Sequence, residues 1–291
     1  MNKLNPNNPL FQCLEKNPIW WETLKKDKSV YIEIRKENYI DIYYNGGNII
    51  SELKHNGKEY SGKIHYKYLL PEKSEYIKFD FSIGTQSLIQ KSHVDLMNFN
   101  SFDDKTLKRI KANISSFYPV NSEKGIQASF KINTRQFIDS EFAYNFNGDV
   151  LRIDLIWIDI NAKKIVPVEL KTIGDNRLYT DEIVIQLKKY NDFFKEHKTQ
   201  LLTYYQTLFL IKKKLNILSP ELDRISTLDN YDIETRPILL LGDCKQDWID
   251  DNSETLDNKI RFVAYGTYYY GSSKSSCNLI QPKHKNRHLY P

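Results

Sequence analysis

Residues 151–172 constrain the fold more than any other stretch. Two apolar, β-branched runs, Leu151-Arg152-Ile153-Asp154-Leu155-Ile156-Trp157-Ile158-Asp159-Ile160 and Ile165-Val166-Pro167-Val168-Glu169-Leu170-Lys171-Thr172, flank the polar break Asn161-Ala162-Lys163-Lys164. That pattern reads as an antiparallel hairpin. Both runs are apolar on both faces, as in strands set deep in a sheet. Yet Asp154, Glu169 and Lys171 interrupt them. An unpaired buried charge costs several kcal/mol, so three in one buried hairpin point to a site or a compensated cluster.

Spacing turns this into geometry. Glu169 and Lys171 are two apart and leave the same strand face. With Asn161-Ala162 as a two-residue turn, Asp154 lies opposite Glu169. With all four polar residues in the loop, Asp154 lies opposite Lys171. Directly opposed residues share a face, so either register gathers two carboxylates and one amine. Neighbouring carboxylates repel, and a divalent cation resolves the conflict. Mg²⁺ prefers one or two carboxylates, waters and phosphate oxygens. Metal-assisted hydrolysis of a phosphodiester suits this trio, with Lys171 orienting the attacking water or neutralising developing charge.

Asp154, a hairpin and then Glu169-Leu170-Lys171 resemble the core of the PD-(D/E)xK nuclease superfamily, although Ile153 stands where the family often has proline. Gln186-Leu187-Lys188-Lys189-Tyr190 resembles the Gln-x-x-x-Tyr element of the RecB-type exonuclease branch. The resemblance covers roughly residues 100–245. It implies a restriction-endonuclease-like α/β (α+β) core, a central mixed sheet flanked by helices. It also implies a Mg²⁺-dependent deoxyribonuclease, with Mn²⁺ as a substitute, serving restriction, antiviral defence or DNA repair. Asp154, Glu169 and the Leu170 carbonyl would hold the metal. Glu141, expected on a helix ahead of the hairpin, would be a further acidic ligand, with Asp139 as the nearby alternative. Lys171 would serve the water, and Gln186 and Tyr190 would support the site. DNA is the expected partner, with RNA left open, alongside a homodimer or a partner defence or repair protein. A catalytically inactive nuclease fold acting as a nucleic-acid-binding or scaffolding subunit is the alternative. A structural ion cluster in an unrelated fold is a third.

The chain has 291 residues, 40% hydrophobic and 13% aromatic, enough for a sizeable core and against a disordered protein. No run approaches the ~18 apolar residues of a membrane span. The first residues lack the apolar segment of a signal peptide, and three scattered cysteines fit a reducing compartment, so a cytoplasmic location is expected. A net charge of +5 permits nucleic-acid binding without demanding it. No metal-binding histidine or cysteine spacing, phosphate loop or Gly-x-Ser-x-Gly elbow appears.

Two parts are expected: a small β-rich N-terminal module, residues 1–98, for substrate selection or oligomerisation, and a nuclease domain, residues 99–291. Pro6, Pro9 and Pro18 punctuate a lead-in anchored by Ile19-Trp20-Trp21. Residues 29–70 read as an antiparallel meander with Asn45-Gly46 at a turn. Its tyrosines are half-buried sheet aromatics or a stacking surface for nucleic acid. Tyr76–Phe81 reads as a further strand. Ser101–Asp104 resembles a capping box before a helix with Leu107, Ile110, Ile114 and Phe117 inward and Lys105, Lys108, Arg109 and Lys111 outward. A helix capped by Asn133 or Thr134 would carry Phe137, Ile138, Glu141 and Phe142. Helices from Thr180 and Thr199, the second ending at Lys212-Lys213-Lys214, follow the hairpin. Then come an acidic connector over 219–235, a buried strand over 236–243, an acidic loop over 247–258 and a strand over 261–270. A basic tail, Lys283–His288, closes the chain.

Overall fold

The computed structural model describes residues 4–69, 85–90, 93–96, 99, 102–118, 122–134, 136–146, 148–273 and 276–280. The expected strand Tyr76–Phe81, Ser101 of the capping box and the basic tail lie outside these residues. The chain is mixed α/β with two sheets. It divides into two compact units, Met1–Ala128 with Thr207–Leu218, and Ser129–Gln206 with Ser219–Pro291. The division thus falls after residue 128 rather than at the expected 98/99.

In the first unit, α1 (Pro9–Leu14) and α2 (Ile19–Lys26) precede a meander of β1 (Val30–Arg35), β2 (Tyr39–Tyr44), β3 (Gly47–His55) and β4 (Tyr60–His65). β5 (Thr85–Gln90) and β6 (His93–Leu96) complete an antiparallel sheet of order β1-β2-β3-β4-β6-β5. The turn between β2 and β3 uses positive φ at Asn45 (46°) and Gly46 (83°), the signature of a type I′ hairpin. Ile34, Ile40, Ile42, Ile50 and Leu53 supply the buried face. Trp20 and Trp21 are buried as expected, whereas Ile19 is exposed. The meander tyrosines divide. Tyr31 stacks on its cross-strand partner Tyr43, and Arg35 ties the Tyr43 hydroxyl (2.7 Å) to Asp41 (2.9 Å). Those are sheet aromatics.

Helix α3 (Asp104–Phe117) is capped by Asp103, whose carboxylate accepts the Thr106 N–H at 2.7 Å. Leu107, Ile110 and Ile114 are buried, but Phe117, expected in the same stripe, is 47% exposed. Gly47 meets this helix closely. A Cβ there would stand 2.6 Å from Ile114 Cγ2 and 3.1 Å from Tyr118. Gly47→Ala is therefore expected to cost about 1–3 kcal/mol by overpacking, read as a lowered thermal midpoint.

The second unit begins within α4 (Glu123–Asn133) and continues through β7 (Phe137–Phe146), β8 (Asp149–Asp159), β9 (Lys164–Thr172), α5 (Glu182–Glu196) and α6 (Lys198–Lys214). The end of α6, from Thr207, belongs to the first unit. Then follow α7 (Pro220–Asp223), β10 (Asp232–Ile233), β11 (Ile238–Gly242), α8 (Gln246–Ile260), β12 (Gly266–Ser273) and β13 (Ser276–Ile280). The sheet has order β13-β12-β11-β9-β8-β7, with β10 also on β9. β11 runs parallel to β9 and β12, while β7, β8 and β9 are antiparallel.

Two expected elements change type. Residues 137–142 are strand, not helix, because Phe142, Tyr144 and Phe146 continue the apolar pattern at period two. The acidic loop over 247–258 is helix α8. Its buried residues, Ile249, Ser253, Leu256 and Ile260, recur at helical spacing, and its acids take the solvent face. Val263 and Ala264 then bond back to the Ile260 carbonyl at 2.9 Å, so the last parallel strand starts at 266 rather than 261.

Candidate active site

The β8–β9 ladder runs from Asp159↔Lys164 to Leu155↔Val168. One step further, this register sets Asp154 opposite Glu169, the first of the two alternatives. The turn between the strands uses Lys163 at φ 53°. Asp154 then bridges the strands itself, its Oδ2 accepting the Leu170 N–H at 2.8 Å.

Glu169 and Lys171 leave the face shared with Leu239 and Leu241, their register partners on β11. That face carries the apolar cluster of Ile183, Leu187, Leu239, Leu241, Ile249 and Leu256. Helices α5 and α8 therefore hold water away from the charged pair. Glu169 is 1% and Lys171 2% exposed. The Lys171 ammonium donates to Glu169 Oε1 and, at 3.2 Å, to the Leu170 carbonyl.

Helix α5 supplies the other wall. Gln186 and Tyr190, one turn apart, face the strands together. Gln186 Nε2 donates to Glu169 Oε1 at 2.6 Å and to the Tyr190 hydroxyl at 3.3 Å. Tyr190 in turn donates to the Arg152 carbonyl on β8. Burial, then the negative charges of Glu169 and Asp154, hold its phenol protonated far above the usual range. Tyr190 is thus a permanent donor that joins α5 to β8. The Arg152 carbonyl is a member that sequence reasoning missed, since a backbone acceptor has no side-chain signature.

Glu169 Oε2 and Gln186 Oε1 are buried and without a hydrogen-bond partner. Leaving such acceptors dry and unpaired is costly. Asp154, Glu169 and the Leu170 carbonyl could offer carboxylate and carbonyl oxygens, the hard donors that Mg²⁺ or Mn²⁺ takes, with Glu169 Oε2 the oxygen that no protein group occupies.

Glu141 is placed differently from the expectation. It lies on strand β7, between the pairs Ser140↔Leu155 and Phe142↔Ile153, so its register position is opposite Asp154. Its φ of 52° is left-handed, which is unusual for a glutamate within a strand. No three His, Cys, Asp or Glu side chains converge on one point among the described residues, so Glu141 is not gathered with Asp154 and Glu169 into a three-acid cluster. Asp139 is buried and accepts the Ser140 N–H at 2.9 Å. Beyond β9, Asp175 grips Arg177 (Nε–Oδ1 2.9 Å, Nη2–Oδ2 2.5 Å), and this pairing holds the Asp175 carboxyl below its usual range.

No known protein family, curated protein or solved structure matches the chain. No helix among the described residues is long and apolar enough to cross a membrane.

Proposed function

We propose that this chain is a metal-dependent nuclease that hydrolyses phosphodiester bonds of DNA, serving restriction, antiviral defence or repair. The observation that carries the reading is the buried, unpartnered Oε2 of Glu169, on a strand whose register sets Asp154 opposite. The order α4-β7-β8-β9-α5-α6-α7-β10-β11 supports it, since it sets the acidic hairpin between helices in a mixed sheet. So does the resemblance of Asp154, Glu169-Leu170-Lys171 and Gln186-x-x-x-Tyr190 to the PD-(D/E)xK pattern.

In this reading Asp154, Glu169 and the Leu170 carbonyl would hold Mg²⁺, which when bound would supply Lewis acidity and a more acidic water. The chain does the rest. Lys171 moves its ammonium from Glu169 to the charge developing on the phosphate. Gln186 fixes Glu169 Oε1, and Tyr190 locks Gln186 to β8. A water oxygen bonds to phosphorus and gives up a proton to solvent, the bond to the leaving sugar oxygen breaks, and that oxygen gains a proton from solvent.

The test is incubation with linear duplex, closed circular duplex and single-stranded DNA, under Mg²⁺, Mn²⁺ or EDTA, with Asp154→Ala alongside. Cutting that needs the metal and is absent in the variant is expected, and cutting of the circle would mark an endonuclease. Cutting that survives both EDTA and Asp154→Ala would sink the reading. DNA binding without cutting by any form would favour the inactive-core alternative.

A further inference from the structure

The first unit carries a row of rings. His65, at the end of β4, has ring centroids of Tyr66 at 5.0 Å, of Tyr68 at 5.5 Å and of its cross-strand partner His93 at 5.2 Å. Tyr68 reaches Phe117 at 6.1 Å, and its hydroxyl bonds that of Tyr118 at 3.3 Å. The row is anchored, because Asn45 of the I′ turn donates to the Tyr118 carbonyl at 2.6 Å and Asn113 to the Tyr68 carbonyl at 2.8 Å. Tyr68 is buried, whereas Phe117 is exposed and the other rings are half-buried. The row is therefore a rigid, partly open aromatic platform.

Two lysines stand over it. Lys67 stands over three of the rings, 4.5 Å from Phe117, 5.1 Å from Tyr68 and 5.3 Å from Tyr118. Lys124 stands 5.9 Å from Tyr118. Neither lysine forms an ion pair among the described residues, unlike Lys111, which is bound to Asp27 at 2.6 Å. Burial first, then Lys67 and His93, hold the His65 imidazole down at about 4, so it is neutral near pH 7.

We infer that this platform binds a single DNA strand, its bases stacking on the rings and its phosphates meeting Lys67 and Lys124. Unpaired bases offer open faces, and duplex bases do not. The choice of DNA rests on the nuclease reading; the stacking and charge do not.

Fluorescence anisotropy of a labelled oligothymidylate, with Asp154→Ala protein in EDTA, tests it without cleavage. Phe117→Ala should weaken binding about tenfold, the size of one lost base–aromatic stack. Lys67→Gln and Lys124→Gln should each lower the salt slope of log K by about 0.7, one phosphate contact on a single strand. Unchanged affinity and slope in variants that melt like the parent would overturn the inference. So would a parent that does not bind single strands, or one that binds duplex as tightly with no loss in Phe117→Ala. Cleavage assays fail separately: a chain that binds in this manner yet never cuts loses the nuclease reading alone, and one that cuts while Phe117→Ala binds normally loses the platform alone.

Discussion

Lys171→Met is expected to slow metal-dependent cleavage about 10²–10³-fold and to lower the unfolding free energy by about 3–5 kcal/mol in the same molecule. The first effect follows from losing a positioned cation at developing phosphate charge. The second follows from burial: the side chains of Lys171 and Glu169 are 3% and 2% exposed, so removing one strands the other. From sequence alone, a loss of stability in Lys171→Ala separates a structural ion cluster from a catalytic site. Burial of the pair removes that distinction, because both cases now predict instability. The double variant Glu169→Leu, Lys171→Met restores it. Stability should return to about the parent level, since an apolar pair often replaces a buried ion pair at no cost, while cleavage stays lost. Mg²⁺ gives a readout independent of turnover. At about 100 times its Kd it should return about 2.7 kcal/mol to Lys171→Met and nothing to the double variant. Urea melts with and without Mg²⁺, paired with cleavage rates, measure all of this. Full cleavage by Lys171→Met would remove Lys171 from the chemistry.

The hairpin was readable because its signals agree: β-branched runs, a polar break and charges at period two. Sequence left two registers open, and the structure chose Asp154 opposite Glu169, with the Leu170 N–H as the clasp. Gln186 and Tyr190 were readable for a similar reason, since a four-residue helical spacing needs no tertiary information. What failed were short windows and exposed charge. Six residues, Phe137–Phe142, fit a helix as well as a strand until Tyr144 and Phe146 extend the alternation. Over 247–258 the acids hide a sparse apolar stripe that only packing on β11 and β12 makes decisive. Phe117 obeys helical spacing yet is the last residue of α3 and stays exposed, with Lys67 4.5 Å from its ring.

Lys212→Met should cost about 3–5 kcal/mol as well, and here cleavage per folded molecule should stay at the parent level. The run Lys212-Lys213-Lys214 reads from sequence as a solvated helix end facing its own dipole. The structure sends Lys212 inward instead. Its Nζ lies 2.7 Å from Glu33 Oε2 and 3.1 Å from the Ile32 carbonyl on β1, with side chains 4% and 0% exposed. Removing the amine takes the ammonium away from a carboxylate that is fully buried inside the first unit. Glu33→Leu with Lys212→Met should bring stability back, and chemical denaturation of the three variants measures it; a single variant as stable as the parent would show that the pair is not fully desolvated. The comparison bears on the second unit. Both units bury a lysine against a glutamate, so burial of charge alone does not mark a site. What separates them is what surrounds the carboxylate. Glu169 keeps an oxygen without a partner and has Asp154 opposite it in register and Gln186 turned toward it. Under the nuclease proposal that unpartnered oxygen is where a cation would bind, so cleavage is expected to fail in Lys171→Met and to survive in Lys212→Met.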